Sequence, residues 1–378
     1  MATPPPSRSR VQPQTKVKPV KAAPVKAAPA KKAPVKTARK KAVPPPSYSA
    51  SEIKDLFDRA YRAMHEGRLL HAHEALDQIL AANPNHAEAL SDKGLAYGLS
   101  NQPEKAMALF QQAIVIKPDL AEAYFNLAAL LHRLGRHAEA LPAYLKAREL
   151  RPKSPQLCFN LATLYREMGR PGEAEPLFRQ AIELESRFAQ AHNDLGVLVL
   201  DRADWPQAEA LFRQAIKLNP SDANPWYNLS IVLRRCQRLQ EAEQAQRQAI
   251  SLRSNNAQDH NNLGIVLQDQ GKNDEAQAQF RQAIALMPQL GEAHVNLGNQ
   301  LRKFGRFAEA EDELREAVRL LPHSAGALDN LGILLQQTGR FDLAEQTYRE
   351  AIAKDPAFQP AHEHLANLLK ELGRDGTP

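Results

Sequence analysis

Long apolar runs and cysteines are scarce in this sequence, and each scarcity limits the classes of protein to which the chain can belong. No stretch approaches eighteen uninterrupted apolar residues, the length that a membrane-spanning helix needs. The N-terminus offers Pro, Ala, Val, Lys and Arg in place of the apolar segment of a signal peptide. Two cysteines among 378 residues are typical of a reducing compartment. We therefore expect no membrane span and a cytoplasmic location.

Acidic residues are absent from the first 47 residues, which contain twelve Lys and Arg and eleven of the 27 prolines. Residues 48–378 carry instead 37 basic and 43 acidic side chains, a net charge of −6. Proline removes a backbone donor, and a segment without leucine or aromatic residues has nothing to bury. The sequence therefore predicts a disordered Ala/Pro/Lys-rich basic tail at residues 1–48 and a folded domain at residues 49–378.

The charge of this tail supports two interpretations. The tail is either a semi-rigid spacer or a tether to nucleic acid or another polyanion, which it would bind through counterion release without reading sequence. Its composition resembles the Lys/Ala/Pro tails of linker histones. The candidate tether residues are Lys31, Lys32, Lys36, Arg39, Lys40 and Lys41.

Motifs of catalysis and of cofactor binding are also missing. The sequence contains no GxxxxGK loop, no GxGxxG turn, no HExxH pair and no CxxC pair. Histidines recur at one phase of the repeat described below, but units about 10 Å apart would not bring them to one metal ion. We therefore predict a protein that is not an enzyme and has no cofactor and no metal site.

A 34-residue repeat dominates the rest of the chain. This is the length of a helix-turn-helix unit. The predicted units are residues 53–86, 87–120, 121–154, 155–188, 189–222, 223–256, 257–290, 291–324 and 325–358, with a capping half-unit at 359–374.

The positions of each unit, numbered from 1 to 34, show how its two helices pack. Position 8 is Gly, Ala or Ser in every unit, position 20 is Ala in every complete unit, and position 24 is usually a large aromatic residue. Small residues let helices approach closely, and the large residue fills the remaining space. Glycine at position 15 predicts the end of the first helix, helix A, and proline at position 32 the end of the second, helix B.

These residues resemble the tetratricopeptide-repeat family, as in LAEAYFNLAALLHRLGRHAEALPAYLKARELRP at residues 120–152. The resemblance covers about 320 residues. It implies an all-α fold, a right-handed superhelix (α-solenoid) of about nine and a half helix-turn-helix repeats. It also implies that the A helices line a concave groove.

Position 6 of helix A carries a series of asparagines, which we call the asparagine ladder. An amide side chain matches the donor and acceptor of a peptide unit, and one amide per unit would meet about every third residue of an extended ligand. The ladder resembles the peptide-binding groove of O-linked N-acetylglucosamine transferase, although Asp92 and Asp194 interrupt it. Alternatively, the amides only solvate helix A. The ladder consists of Asn126, Asn160, Asn228, Asn262, Asn296 and Asn330.

Arginines at position 12 extend the candidate peptide-binding site to Arg166, Arg234 and Arg302. They suit an acidic or Ser/Thr-rich partner segment, or they form a solvated face. The sequence thus predicts a scaffold or adaptor that binds a protein or an extended peptide. Two alternatives remain: the substrate-recruiting part of a protein O-GlcNAc transferase-like system, and an adaptor tethered to nucleic acid by its tail. Because only a half-unit follows the ninth repeat, we expect no catalytic domain.

Overall fold

The computed structural model describes residues 46–374. Of the predicted tail, only residues 46–48 belong to this part, and all six candidate tether residues lie outside it. Residues 46–374 form nineteen helices and no strand. The helices are α1 (Ala50–His65), α2 (Leu69–Ala82), α3 (Ala87–Leu99), α4 (Pro103–Ile116), α5 (Ala121–Arg133), α6 (His137–Leu150), α7 (Pro155–Glu167), α8 (Pro171–Leu184), α9 (Ala189–Leu200), α10 (Trp205–Leu218), α11 (Ala223–Arg235), α12 (Leu239–Leu252), α13 (Ala257–Asp269), α14 (Asn273–Leu286), α15 (Gly291–Lys303), α16 (Phe307–Leu320), α17 (Ala325–Gln337), α18 (Phe341–Lys354) and α19 (Gln359–Glu371).

Consecutive helices pack in pairs, and several odd-numbered helices also contact the next odd-numbered one, as α3 contacts α5 and α17 contacts α19. The odd-numbered helices are the A helices and the even-numbered ones the B helices. This is the predicted all-α solenoid, in which each unit buries its apolar face against its neighbours. The first helix begins at Ala50, and Ser49 and Glu52 form a capping box at its start.

The turn between helices A and B repeats one backbone geometry. Gly135 and the other position-15 glycines have φ between 71° and 78°, which confirms the predicted left-handed helix end. Asn101, Ala203 and Gln237, which replace glycine in three units, adopt the same region at φ 55°, 61° and 60°. The array therefore imposes this turn even where the residue disfavours it.

Positions 8 and 24 meet in the interior, as the sequence indicates. A Cβ atom added to Gly264 would lie 2.5 Å from Cε1 of Phe280, and one added to Gly332 would lie 2.5 Å from Cε1 of Tyr348. Both aromatic rings are fully buried. The small residue at position 8 is thus a packing requirement, because the ring at position 24 occupies the space of a side chain.

Ion pairs join the B helices along the array. Glu311 accepts hydrogen bonds from Arg340 of the next unit and from Arg315 of its own helix, at 2.7 to 2.9 Å. The Arg340 contact, followed by that of Arg315, lowers the pKa of Glu311 to about 2. The charges of this cluster on the B-helix surface are therefore mutually paired.

Candidate functional site

The A-helix face, made of positions 2, 5, 6, 9, 12 and 13 of the A helices, contains every candidate peptide-binding residue. Five of the six ladder asparagines are partly exposed there, and Asn262 is buried. The three arginines at position 12 are partly exposed as well. The structure thus presents five of the six ladder amides on this face, with Asn262 as the exception.

Three of the ladder amides form hydrogen bonds to the preceding unit. Nδ2 of Asn228 donates to Oδ1 of Asn193 at 3.0 Å, and Nδ2 of Asn296 donates to Oδ1 of Asn261 at 2.9 Å. A longer contact of 3.4 Å joins Nδ2 of Asn126 to Oγ of Ser91. Each acceptor occupies position 5, which is 35 residues before its donor. These bonds fix the orientation of the amides before any ligand arrives.

The hydrogen bonds of two further amides depend on the residue at position 5 of the preceding unit. Where that residue is Phe125 or Val295, the next asparagine bonds within its own helix: Asn160 accepts from Gln156 at 2.9 Å, and Asn330 donates to the carbonyl of Gly326 at 2.7 Å. Asp329, a polar position 5, instead pairs across the units with His364 at 2.7 Å. For every ladder amide except Asn262, the hydrogen bond thus varies with position 5 of the preceding unit, a role that the sequence reasoning missed. The signal was present as polar residues spaced 35 positions before an amide.

Asn262 differs from the other ladder members because it belongs to a buried polar cluster. Its Nδ2 donates to Oγ of Ser230 at 2.8 Å and to Oε1 of Gln246 at 2.6 Å. Gln246 stands at position 24, where the other units place a large apolar residue, and its Nε2 donates to the carbonyl of Asp259 at 2.9 Å. Both amide hydrogens of Asn262 are thus engaged inside the protein.

The two aspartates that interrupt the ladder lie in poorly solvated places. Burial, followed by the nearby Glu122 and Glu88, raises the pKa of Asp92 to about 6. Burial also raises the pKa of Asp194, against the opposing effect of Arg166. A protonated carboxyl group has one donor and an acceptor, whereas an amide has two donors and an acceptor. Protonated Asp92 can therefore both donate to a ligand and accept from it, with one donor fewer than asparagine.

The position-12 arginines contact the following unit. Arg166 lies 3.4 Å from Asp194, Arg234 lies 3.0 Å from Asp269, and Arg302 donates to Oε1 of Gln337 at 3.1 Å. Among residues 46–374, Nε of Arg234 and Nε of Arg302 are buried without an acceptor. Burial lowers the pKa of Arg302. These guanidinium groups therefore keep hydrogen-bond capacity for a ligand.

A cleft of about 540 Å³ lies at the C-terminal end of the A-helix face. Its lining includes Ile333, Gln336 and Gln337 from positions 9, 12 and 13 of α17. Tyr348 donates its hydroxyl hydrogen to Oε1 of Gln336, and Nε2 of Gln336 donates to Glu371. The cleft is thus polar on one side and apolar on the other.

The histidines at position 4 have structural partners. Nε2 of His192, His260, His294 and His362 lies 3.0 to 3.1 Å from the carbonyl oxygen six residues earlier. These contacts give the column a structural role in the loop between units. Cys158 is buried, and burial raises the pKa of its thiol. In the described part of the chain, no helix is both long enough and apolar enough to cross a membrane.

Comparison with known proteins identifies the repeat. Residues 94–135 match a family model described as TPR repeat, and residues 327–360 match one described as tetratricopeptide repeat. Residues 120–330, more than half of the chain, match the tetratricopeptide-repeat model described as the Cilia and flagella-associated protein 70 C-terminal domain. The chain belongs to this family of tetratricopeptide-repeat domains. A comparison with curated proteins finds no matching sequence.

The fold has a counterpart among solved structures. The APC/C hetero-tetramer Cut9-Hcn1 is similar at 18% identity with a TM-score of 0.58, over 79% of this chain and 59% of that one. This chain thus spans less than two thirds of that relative. Yeast Tom70 is similar at 15% identity and a TM-score of 0.47, over 85% of this chain and 89% of that one. YrrB, described as a TPR protein with an unusual peptide-binding site, has 22% identity and a TM-score of 0.39, over 49% and 96%.

Proposed function

We propose that this tetratricopeptide-repeat domain is a scaffold or adaptor whose concave A-helix face binds an extended segment of a partner protein. The observation that carries the proposal is the pairing of ladder amides with position 5 of the preceding unit. Asn228 and Asn296 are held by bonds of 3.0 and 2.9 Å, yet each keeps one Nδ2 hydrogen and its Oδ1 free of these contacts. Side chains that are already oriented lose little conformational entropy on binding.

The chemistry of the face favours recognition of the ligand backbone. An amide can donate to a peptide carbonyl and accept from a peptide N–H. Units about 10 Å apart would place one amide at about every third residue of an extended chain. The ligand sequence would therefore matter less than its extended shape.

The arginines favour an acidic or Ser/Thr-rich ligand. Arg302 has no carboxylate within ion-pair distance in the described residues, and its buried Nε lacks an acceptor. A carboxylate or hydroxyl oxygen of the ligand would accept a hydrogen bond from the partly exposed guanidinium group of Arg302. The gain is the hydrogen bond of a charged group, about 1.5–3 kcal/mol.

Mutation of the oriented amides tests the ladder. Extended peptides selected from a displayed library would be titrated into the wild type and into Asn228→Ala/Asn296→Ala, with Asn255→Ala, an exposed loop asparagine, as the matched control. We expect the double variant to lose affinity at least tenfold for peptides of different sequence. Backbone N-methylation of the same peptides should reproduce the loss. Equal affinity of the wild type and the double variant would refute the ladder as a binding site.

Two narrower functions rest on single observations. The asparagine ladder supports a substrate-recruiting role like that of O-GlcNAc transferase repeats. The twelve Lys and Arg of residues 1–47 support a tether to nucleic acid. Deletion of residues 1–47 should then abolish salt-dependent retention on DNA. Equal retention of the deleted and the intact chain would exclude the tether.

A further inference from the structure

Two histidines and a glutamate converge at the junction of the third and fourth units. Nε2 of His132 lies 2.9 Å from Oε2 of Glu167, and Nε2 of His137 lies 3.4 Å from the same oxygen. One ligand atom from each of the three residues lies within 4.8 Å of the other two. The two imidazole rings are 5.4 Å apart and nearly perpendicular.

Three different helices position these donors. His132 lies in the last turn of α5, His137 is the first residue of α6, and Glu167 is the last residue of α7. The turn between the histidines includes Gly135, whose φ is 71°. His132 also packs edge-on against the buried ring of Tyr144, 6.1 Å away. The backbone and the core thus hold the donors together independently of any ion.

The donor set and its spacing suit a transition metal. Histidine nitrogen and carboxylate oxygen bind zinc at about 2.0–2.2 Å, so the donors of a tetrahedral site lie about 3.4 Å apart. The two measured distances to Glu167, 2.9 and 3.4 Å, are already close to that value. Small rotations of the side chains would complete the geometry.

The side chains around Glu167 leave its carboxylate available to a metal ion. Within residues 46–374, Glu167 forms ion pairs with these two imidazoles and with no lysine or arginine. Its sequence neighbour Arg166 is directed to Asp194 instead. By contrast, the positions equivalent to His132 and Glu167 three units later hold an arginine–aspartate pair, Arg234 with Asp269, which has no place for a metal ion.

We propose that His132, His137 and Glu167 bind one divalent transition-metal ion, zinc in the first instance. The side chains of Glu167 and His137 are 41% and 32% exposed, so a fourth coordination position is open to solvent and can take a water molecule or a side chain of another protein. The bound ion links α5, α6 and α7 and so fastens two adjacent units. The sequence predicted no metal site because its donors are spaced 5 and 30 residues apart and match no metal motif.

Zinc titration of the untagged full-length chain tests this site. After chelator treatment, zinc chloride alone would be added in a calorimeter, and cobalt(II) would be added separately to record the visible spectrum of a tetrahedral site. We expect one equivalent to bind, and His137→Ala and Glu167→Gln each to weaken binding at least tenfold. His323→Ala, which removes an exposed histidine elsewhere, should bind as the wild type does.

Folding controls show whether a variant loses zinc binding because it lacks a ligand or because it is unfolded. His137 and Glu167 are both outside the core, so neither substitution should change the helical circular dichroism. Zinc should also slow hydrogen exchange in α5–α7 of the wild type and leave both variants unchanged. If the wild type binds zinc no more tightly than His137→Ala and Glu167→Gln, the proposed site does not exist.

Discussion

Ser230 donates its hydroxyl hydrogen to Oε1 of Gln246 at 2.5 Å, in the interior of the sixth unit. These residues occupy positions 8 and 24, where other units pack a small residue against a large apolar one. Both side chains are fully buried. The sixth unit thus replaces an apolar contact with hydrogen bonds that extend to Asn262 of the seventh unit.

Substitution of Gln246 should therefore weaken the middle of the array. Gln246→Leu keeps the volume but removes the acceptor of one Asn262 amide hydrogen and the donor to the Asp259 carbonyl. An unsatisfied buried polar group costs about 1–3 kcal/mol. Hydrogen exchange of α11–α13, read by mass spectrometry, should accelerate more than that of α3–α5. Gln244→Leu, on the exposed side of the same helix, is the control and should leave exchange unchanged. Unchanged exchange in Gln246→Leu would contradict a stabilising role of the cluster.

Overpacking at position 8 should destabilise the seventh unit. In Gly264→Val, the Cβ atom would approach Cε1 of Phe280 at 2.5 Å, and the ring is enclosed on all sides. We expect a loss of about 1–3 kcal/mol, measured as a lower urea midpoint. Gly172→Val is the matched control because a Cβ at Gly172 meets no atom within 4 Å. Equal urea midpoints for the two variants would show that the ring of Phe280 moves aside without a loss of stability.

Glycine at position 15 should stabilise the units in which another residue occupies this turn. Gln237 adopts φ 60°, a region that costs a residue with a Cβ about 1–2 kcal/mol. Gln237→Gly relieves this strain but raises the entropy of the unfolded chain, so we expect a net gain of about 0.5–1 kcal/mol in denaturant unfolding. The reverse change, Gly271→Ala at φ 78°, should cost a similar amount. A Gln237→Gly variant less stable than the wild type would refute the strain argument.

Asp92 should make the stability of the first units depend on pH. Its pKa of about 6 in the folded state exceeds the ordinary value of 3.8, so folding favours the protonated form. The full stability is present below pH 3.8, and it decreases as the pH rises through about 6. Asp92→Asn removes the penalty and should stabilise the protein at pH 8 by up to about 3 kcal/mol, with little effect at pH 4.

Urea unfolding across this pH range measures the difference between the two proteins. Asp312→Asn, an exposed substitution on α16, should follow the wild type at every pH. A stabilisation by Asp92→Asn that is equal at pH 4 and pH 8 would show that the carboxylate carries no penalty of burial.

The local pattern of each unit was enough to predict the fold. Glycine at position 15, the small residue at position 8 and the aromatic residue at position 24 act within one helical hairpin, so their meaning depends only on near neighbours. Even the exceptions Asn101, Ala203 and Gln237 were visible as departures from the pattern, although their positive φ angles were not. A repeated local geometry can be read from sequence because the same packing recurs in every unit.

The candidate site was predicted only in outline. The sequence placed the amides at one phase of helix A, and this depends on helical periodicity alone. Contacts between units decided the rest: Asn193 orients Asn228, Ser230 and Gln246 bury Asn262, and Glu167 meets His132 across 35 residues. Such contacts depend on the rotation between successive units and on each side-chain rotamer. Those quantities are set by the packed array, and no single unit encodes them.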